Sequence, residues 1–147
     1  MLGALMRHPT LGIDFQAFQK LARLAGADHL HVSGVDSKFY ETNEEVRLSV
    51  QSVQRPLLAG YSTLPVLSSG QWAGSAPATY QLLNTTDLLV LAGGGVHGHP
   101  GGPGAGIESI RQGWQAAVAG VQLDDYAADH QALRLALDTF ARHDHGG

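Results

Sequence analysis

Three stretches of the chain combine residue types that suit recognition of an anion. The candidates are His31, Ser33 and Lys38 in the first stretch, Ser68, Ser69 and Gly70 in the second, and Gly93, Gly94 and Gly95 in the third. Imidazole and hydroxyl groups donate hydrogen bonds, and a lysine ammonium can neutralise a developing carboxylate or enolate. Glycine lets backbone N–H groups approach a bound phosphate closely. We therefore predict catalytic roles for His31 and Lys38, and substrate or phosphate binding by the second and third stretches.

The third stretch opens a glycine-rich segment, residues 93–106, between a predicted strand and a predicted helix. Backbone N–H groups at a helix N-terminus attract phosphate because they have no acceptor within the helix and carry the positive end of its dipole. A floppy surface loop is the alternative for such a cluster. Two glycine-bearing strand ends in succession favour the phosphate cradle, since barrels often hold phosphate with the loops after their last two strands.

The lysine and the histidines each have a simpler alternative. Lys38 could be an ordinary solvated surface lysine. We expect His29 and His31 to point to opposite sides of their strand, one inward as a general base or substrate-binding group and the other toward the helices. His97 and His99 could suggest a metal pair, but no carboxylate or third histidine is close in sequence, so we predict no metal ligand there.

Alternating helix and strand patterns must position these residues. Apolar periodicity predicts strands at residues 29–32, 64–67 and 88–91, and helices at residues 15–24, 44–53, 77–83, 106–119, 124–128 and 130–142. Asp14 and Asn43 are predicted N-caps, and Gly26 and Gly120 predicted helix ends. Such alternation indicates an α/β fold with parallel strands, whose carboxyl ends meet at one edge. The pattern alone does not separate a closed barrel from an open doubly wound sheet.

Composition narrows the class of protein and its partners. The 147 residues suffice for one domain with a core, and the formal charge of −4 with no basic stripe argues against nucleic acid as a partner. The apolar runs are strand-sized and fall short of the roughly 20 residues of a membrane helix, so no membrane partner is predicted. The absence of cysteine fits a reducing compartment, and we expect a cytoplasmic protein.

Four motifs together resemble a known family. They are the LAGADHLHVSG stretch at residues 24–34, Lys38 seven residues beyond His31, the LPVLSSG stretch at residues 64–70, and the LAGGGVHGHP stretch at residues 91–100. In order and spacing they resemble the C-terminal half of RuBisCO large chains, over about residues 3–126. The departures resemble the RuBisCO-like branch: Ser69 stands where carboxylases carry glycine, and the residues after Lys38 lack their acidic glycine-containing stretch.

The resemblance implies a (β/α)₈ barrel of which this chain holds about strands six to eight and their helices. The smaller N-terminal α+β domain and barrel strands one to five would then be absent, and we expect a fragment or truncated gene product that is inactive alone. In the family, Mg²⁺ is bound by a carbamylated lysine and two acids after strand two. Those ligands would lie upstream of Met1, so the resemblance assigns no metal ligand to this chain.

The resemblance also implies roles for individual residues. His31 is similar to a strand-six histidine that contacts a substrate phosphate, and Ser68 to a strand-seven serine that hydrogen-bonds substrate. Lys38 is similar to a lysine on a mobile loop that closes over the site. Gly70, Gly93 and Gly94 are similar to backbone donors that hold one phosphate.

Several functions remain open at this level. The first is the phosphate-binding end of a RuBisCO-like enzyme that acts on a phosphorylated sugar or sugar acid through a Mg-stabilised enediolate, as decarboxylase, transcarboxylase, enolase or isomerase. Retention of Lys38 favours the group that acts on oxo-isoapionate phosphate. The alternatives are a non-catalytic phosphate-binding half barrel and a genuine ribulose-bisphosphate carboxylase fragment. The expected partner is a second copy or the missing N-terminal half.

A dinucleotide site at Gly102, Gly104 and Gly106 is disfavoured because the spacing lacks the final interval of the fingerprint.

Overall fold

Three short parallel strands form the sheet that positions the candidate residues. The computed structural model describes residues 6–37, 41–58 and 60–141. Within these ranges, β1 (His29–Ser33), β2 (Leu64–Ser68) and β3 (Leu89–Val90) lie side by side in the order β1-β2-β3. Both neighbouring pairs are parallel, which confirms the predicted α/β class.

The helices follow the predicted alternation. They are α1 (Phe15–Leu24), α2 (Asn43–Gln54), α3 (Ala76–Leu83), α4 (Gly93–His97), α5 (Gly102–Ala119), α6 (Leu123–Ala127) and α7 (Gln131–Phe140), with a 3₁₀ turn at Ala73–Ser75. Asp14 caps α1 as predicted, and Gly120 ends α5 in the left-handed conformation. Most of the glycine-rich segment is helical, because α4 begins at Gly93 and α5 begins four residues earlier than predicted. The floppy-loop alternative is therefore wrong.

The cap of α2 is Thr42, and the prediction of Asn43 is wrong. The Thr42 hydroxyl accepts a hydrogen bond from the Glu45 N–H, and the Glu45 carboxylate accepts one from the Thr42 N–H at 2.7 Å. This reciprocal capping box satisfies two N–H groups at the start of the helix. The side chain of Asn43 instead exchanges two hydrogen bonds with Asp36, at 2.8 and 2.9 Å.

Helices cover one face of the sheet. Val32 and Leu67 are register partners, and their buried side chains join Val46 and Val50 of α2 in one apolar cluster. Val35 and, from α3, Leu82 and Leu83 also contribute. Full burial of the valines and of Leu67 stabilises the fold by roughly 1.5–3 kcal/mol for each side chain.

The opposite face of the sheet is largely exposed. His29 and His31 are both exposed, as are Leu89 and Leu91, whose exposed fractions are 37% and 43%. The expectation that the two histidines face opposite sides is wrong, since residues two apart on a strand share a face. Helices on one face only match a piece of a barrel, because an open doubly wound sheet carries helices on both faces.

A second core forms around the C-terminal helices. Leu133 and Ala136 of α7 are fully buried with Ala73 and Ala127, and the Trp72 ring packs on Phe140 at a centroid distance of 5.6 Å. Gln112 connects α5 to α7, because its side-chain carbonyl accepts a hydrogen bond from the Leu133 N–H at 3.0 Å. None of the helices in the described ranges combines the length and apolar character needed to cross a bilayer.

Candidate functional site

The parallel pairing of β1 and β2 brings two predicted site residues into contact. Ser33 is the register partner of Ser68, and the Ser68 hydroxyl lies 3.4 Å from Nδ1 of His31. His31 is exposed on the face of the sheet that no described helix covers. The imidazole and the hydroxyl therefore lie together on an open surface, where both can donate hydrogen bonds to an oxyanion.

The loop after β2 has an unusual backbone. Ser69 has φ 75° and Gly70 has φ 69°, so two consecutive residues adopt the left-handed conformation. Glycine does so freely, whereas a residue with a Cβ is strained there. Gly70 is exposed, and apart from its chain neighbours no described residue has an atom within 4 Å of the position that a Cβ would take. Among the described residues the Ser69 hydroxyl has no hydrogen-bond partner, although it is buried.

The three glycines after β3 form the first turn of α4. The N–H groups in the first turn of a helix have no acceptor within that helix. Gly93 and Gly94 are exposed, with open space at the Cβ position. Gly95 is buried, and a Cβ there would lie 2.8 Å from the backbone oxygen of Gln71 and 2.9 Å from the Cα of Trp72. Close packing thus explains the glycine at 95, whereas the other two leave room for a ligand.

Backbone hydrogen bonds continue the strand pairing into the three loops. The Gly34 N–H donates to the Ser68 carbonyl at 2.8 Å, and the Leu91 N–H donates to the Leu67 carbonyl at 2.9 Å. Because the strands are parallel and adjacent, their loops leave from one edge of the sheet. The sequence prediction required this common edge for His31, Ser68 and the glycines.

Lys38 lies outside the described residues, and its predicted role stays a prediction. The structure describes the segments on both sides of it. The Ser33 hydroxyl donates a hydrogen bond to the Glu41 carboxylate, and Asp36 and Asn43 form the reciprocal pair noted above.

Arg7 and Glu41 are polar residues that the sequence analysis assigned no role. Arg7 donates hydrogen bonds to both carboxylate oxygens of Glu45, at 3.0 and 3.1 Å. Both residues line a cavity of about 170 Å³ together with Asp14 and Glu41. The Thr42 N–H lowers the pKa of Glu45, opposed by desolvation, and Arg7 lowers it further. The Arg7–Glu45 pair joins residues 38 positions apart and the Ser33–Glu41 pair residues eight positions apart, and no local pattern in the sequence signals either pair.

The remaining histidine pair does not form a metal site. His99 is buried, its Nδ1 accepts a hydrogen bond from the Gly101 N–H at 3.0 Å, and its Nε2 lies 3.0 Å from the Ala132 carbonyl oxygen. Both ring nitrogens are therefore occupied by backbone groups. In the part of the chain that the structure describes, no group of three or more histidine, aspartate or glutamate residues could hold a metal ion.

The glycines proposed for a dinucleotide fingerprint have a different role. Gly102, Gly104 and Gly106 all lie in the first turns of α5, and the element before α5 is the short helix α4. A dinucleotide fingerprint requires these glycines in the turn between a strand and a helix. The structure thus removes the dinucleotide hypothesis.

Comparisons with known proteins identify the family. Residues 1–140 match the model of the ribulose bisphosphate carboxylase large chain, catalytic domain. A 3-oxo-isoapionate-4-phosphate decarboxylase from Rhizobium etli is 45% identical over 139 residues, which are 93% of this chain and 33% of that protein. A 3-oxo-isoapionate-4-phosphate transcarboxylase/hydrolase from Xanthobacter autotrophicus is 47% identical over 137 residues, 92% of this chain and 33% of that protein.

The solved structures agree. The crystal structure of a rubisco-like protein from Burkholderia fungorum superposes with a TM-score of 0.88 at 45% identity, and the match covers 94% of this chain and 35% of that one. The chain thus spans about a third of the length of these relatives. On sequence and fold alike, the chain belongs to the catalytic-domain family of the ribulose bisphosphate carboxylase large chain, and its sheet and helices correspond to part of the barrel of the RuBisCO-like members.

Proposed function

We propose that this chain supplies the phosphate-binding end of a RuBisCO-like active site that acts on a phosphorylated sugar acid. The observation that carries the proposal is the contact between His31 and Ser68 on an exposed face, at the same sheet edge as the open glycines 70, 93 and 94. Hydroxyl, imidazole and unpaired N–H groups are the donors that bind phosphate oxygens.

The relatives favour one substrate class. Two proteins at 45% and 47% identity act on 3-oxo-isoapionate-4-phosphate according to their names, one as a decarboxylase and one as a transcarboxylase/hydrolase. This substrate carries both a phosphate and an oxo group. Because this chain spans only a third of those proteins, the substrate class is part of the proposal.

The proposed chemistry divides between the two ends of the substrate. In decarboxylation the bond to the carboxylate carbon breaks, CO₂ leaves, and the electron pair moves toward the oxo oxygen before a proton replaces the lost group. His31, Ser68 and the open glycine amides hold the phosphate and so fix the reacting carbon in place. Lys38 is proposed to neutralise the negative charge that develops at the reacting end.

Magnesium is part of the proposal only for a full-length parent protein. The described residues offer no group that fits the ion, so its ligands are expected in parts of the parent beyond this chain. No step of the chemistry above is assigned to the metal.

The exposed face of the sheet, opposite the helices, requires a partner in the proposed enzyme. Within the described ranges β1 and β3 are the two edges of the sheet, and Leu89 and Leu91 are exposed on the uncovered face. Edges and apolar side chains of this kind pair with other chains. We propose that either a second copy or the remainder of the barrel covers this face, and light scattering of the purified chain distinguishes the two.

Phosphate titration of the ¹⁵N-labelled chain tests the proposal. Inorganic phosphate should shift the amide resonances of Gly70, Gly93 and Gly94, while Gly26 and Gly120, which end helices, should not respond. Equal shifts at all five glycines would indicate nonspecific screening and contradict the site. The chain alone should not turn over the oxo acid phosphate, whereas a full-length parent should.

A further inference from the structure

Gln71 is a buried polar residue that touches all three loops of the candidate site. It follows Gly70 directly, and only 4% of its surface is exposed. A buried side-chain amide is costly unless it forms hydrogen bonds, so its position calls for an explanation.

The side chain of Gln71 holds the strained residue of the second loop. Its Nε2 donates a hydrogen bond to the Ser69 carbonyl oxygen at 3.0 Å. Ser69 adopts φ 75°, a conformation that costs a residue with a Cβ about 1–3 kcal/mol and persists only when its surroundings impose it. The bond to its carbonyl fixes the orientation of the peptide group between Ser69 and Gly70, and hence the direction of the Gly70 N–H.

The same residue packs against the first and third loops. A Cβ at Gly34 would collide with the side-chain amide of Gln71 and would lie 2.8 Å from the Ser68 carbonyl oxygen. A Cβ at Gly95 would lie 2.8 Å from the Gln71 backbone oxygen. The absence of side chains at both glycines lets the loop after β1 and the first turn of α4 pack directly against Gln71.

We propose that Gln71 is a positioning residue that sets the geometry of the phosphate site by holding Ser69 in the left-handed conformation. The role of Gln71 in phosphate binding rests on the proposed function. Its effect on the backbone of Ser69 does not depend on that function. Gln71 itself does not touch the phosphate. It acts through the Ser69–Gly70 peptide group, and through the glycines at 34 and 95 that pack against it.

A rescue experiment separates this role from general stability. Gln71→Met retains the length of the side chain and removes the donor, so Ser69 should leave the left-handed region. Phosphate affinity should then fall roughly fivefold, as expected for one lost hydrogen bond. Glycine adopts positive φ without strain, so Ser69→Gly in the Gln71→Met background should restore most of the affinity. A residue that merely fills the core would show no rescue.

Two readouts keep the inference distinct from the proposed function. The three-bond H–Hα coupling of residue 69 and its chemical shifts report φ without any ligand, and amide shifts with inorganic phosphate report binding. If the wild-type chain ignores phosphate but Gln71→Met changes φ at residue 69, the proposed function fails and the positioning role stands. An unchanged φ in Gln71→Met, or full binding loss despite Ser69→Gly, overturns the inference.

A second variant covers the case in which Gln71→Met does not fold. Gln71→Leu has a similar volume, lacks the donor and adds no buried charge, so it should also change φ at residue 69. Circular dichroism and thermal melting should show a folded chain. Loss of folded structure in both variants would make Gln71 a general stability residue and would also overturn the inference.

Discussion

The Ser68 hydroxyl and Nδ1 of His31 lie 3.4 Å apart although 37 residues separate them in sequence. Ser68 ends β2, whereas His31 lies at the centre of β1. The parallel register pairs His31 with Val66, two residues before Ser68, so the two side chains share one face of the sheet. The contact depends on side-chain type at two positions and on the register between two strands.

Ser68→Ala and His31→Ala should each weaken binding of inorganic phosphate. Each change removes one donor, and we expect roughly a fivefold loss of affinity with no loss of folded structure. Because the two side chains contact each other, the double variant should lose less than the product of the single effects. Ser62→Ala, an exposed serine just before the opposite end of β2, is the matched control. Equal loss in the control would argue against a localised site.

Gly94→Ala and Gly95→Ala should have opposite effects on the stability of the fold. Gly94 has open space at its Cβ position and lies in α4, so alanine should stabilise the fold by up to about 1 kcal/mol while it obstructs the approach of phosphate. Gly95→Ala places a Cβ against Gln71 and Trp72 and should destabilise by about 1–3 kcal/mol. Urea denaturation and phosphate titration measure the two effects. Destabilisation by Gly94→Ala with unchanged binding would remove Gly94 from the site.

Arg23→Lys should destabilise the chain although it preserves the charge. The Arg23 guanidinium donates to the carbonyls of Ser52 at 2.8 Å, Arg55 at 2.6 Å and Tyr61, and thereby caps the C-terminus of α2. A lysine ammonium cannot span these acceptors in the same geometry. We expect a loss of about 1.5–3 kcal/mol in the free energy of unfolding, measured by urea denaturation. Lys20→Ala, an exposed change on the same helix, should stay within about 0.5 kcal/mol.

Glu45→Gln should remove part of the pH dependence of stability. The Thr42 N–H holds the pKa of Glu45 below its ordinary value of 4.5, although desolvation opposes this effect, and Arg7 lowers the pKa further. A carboxylate with a lowered folded pKa stabilises the fold above pH 4.5, and this contribution disappears as the pH falls through the folded value. The wild-type chain should therefore exceed Glu45→Gln in thermal stability at neutral pH. The difference should shrink on acidification, and a constant difference at all pH values would contradict the assignment.

The local structure was largely predictable from sequence. Apolar periodicity indicated all three strands, and Asp14 and Gly120 marked the ends of α1 and α5, because these signals depend on residues a few positions apart. The cap of α2 was predicted one residue late. Thr42 and Asn43 can both cap a helix, and only the reciprocal bond with Glu45 selects Thr42.

The candidate site was predictable in its residue types and only partly in its geometry. Serine, histidine and glycine at strand ends indicated anion recognition, and the parallel sheet confirms that the strand ends share an edge. The buried position of Gly95 and the contacts of Gln71 were not predictable, because both arise from packing between loops far apart in the chain.

The sequence by itself determined the alternation of helix and strand, the chemical groups at the strand ends and the resemblance to the RuBisCO-like branch. Each follows from local patterns or from motifs that can be read in order along the chain. Only the tertiary structure decided that the face shared by His29 and His31 is the exposed one, that His31 contacts Ser68, and that Ser69 adopts a left-handed conformation. The same holds for the hydrogen bond from Gln71 to the Ser69 carbonyl. The physical reason is that strand register and loop packing bring together residues that are distant in sequence. The hydrogen bonds and packing contacts between such residues form only in the folded chain, so no local pattern reveals them.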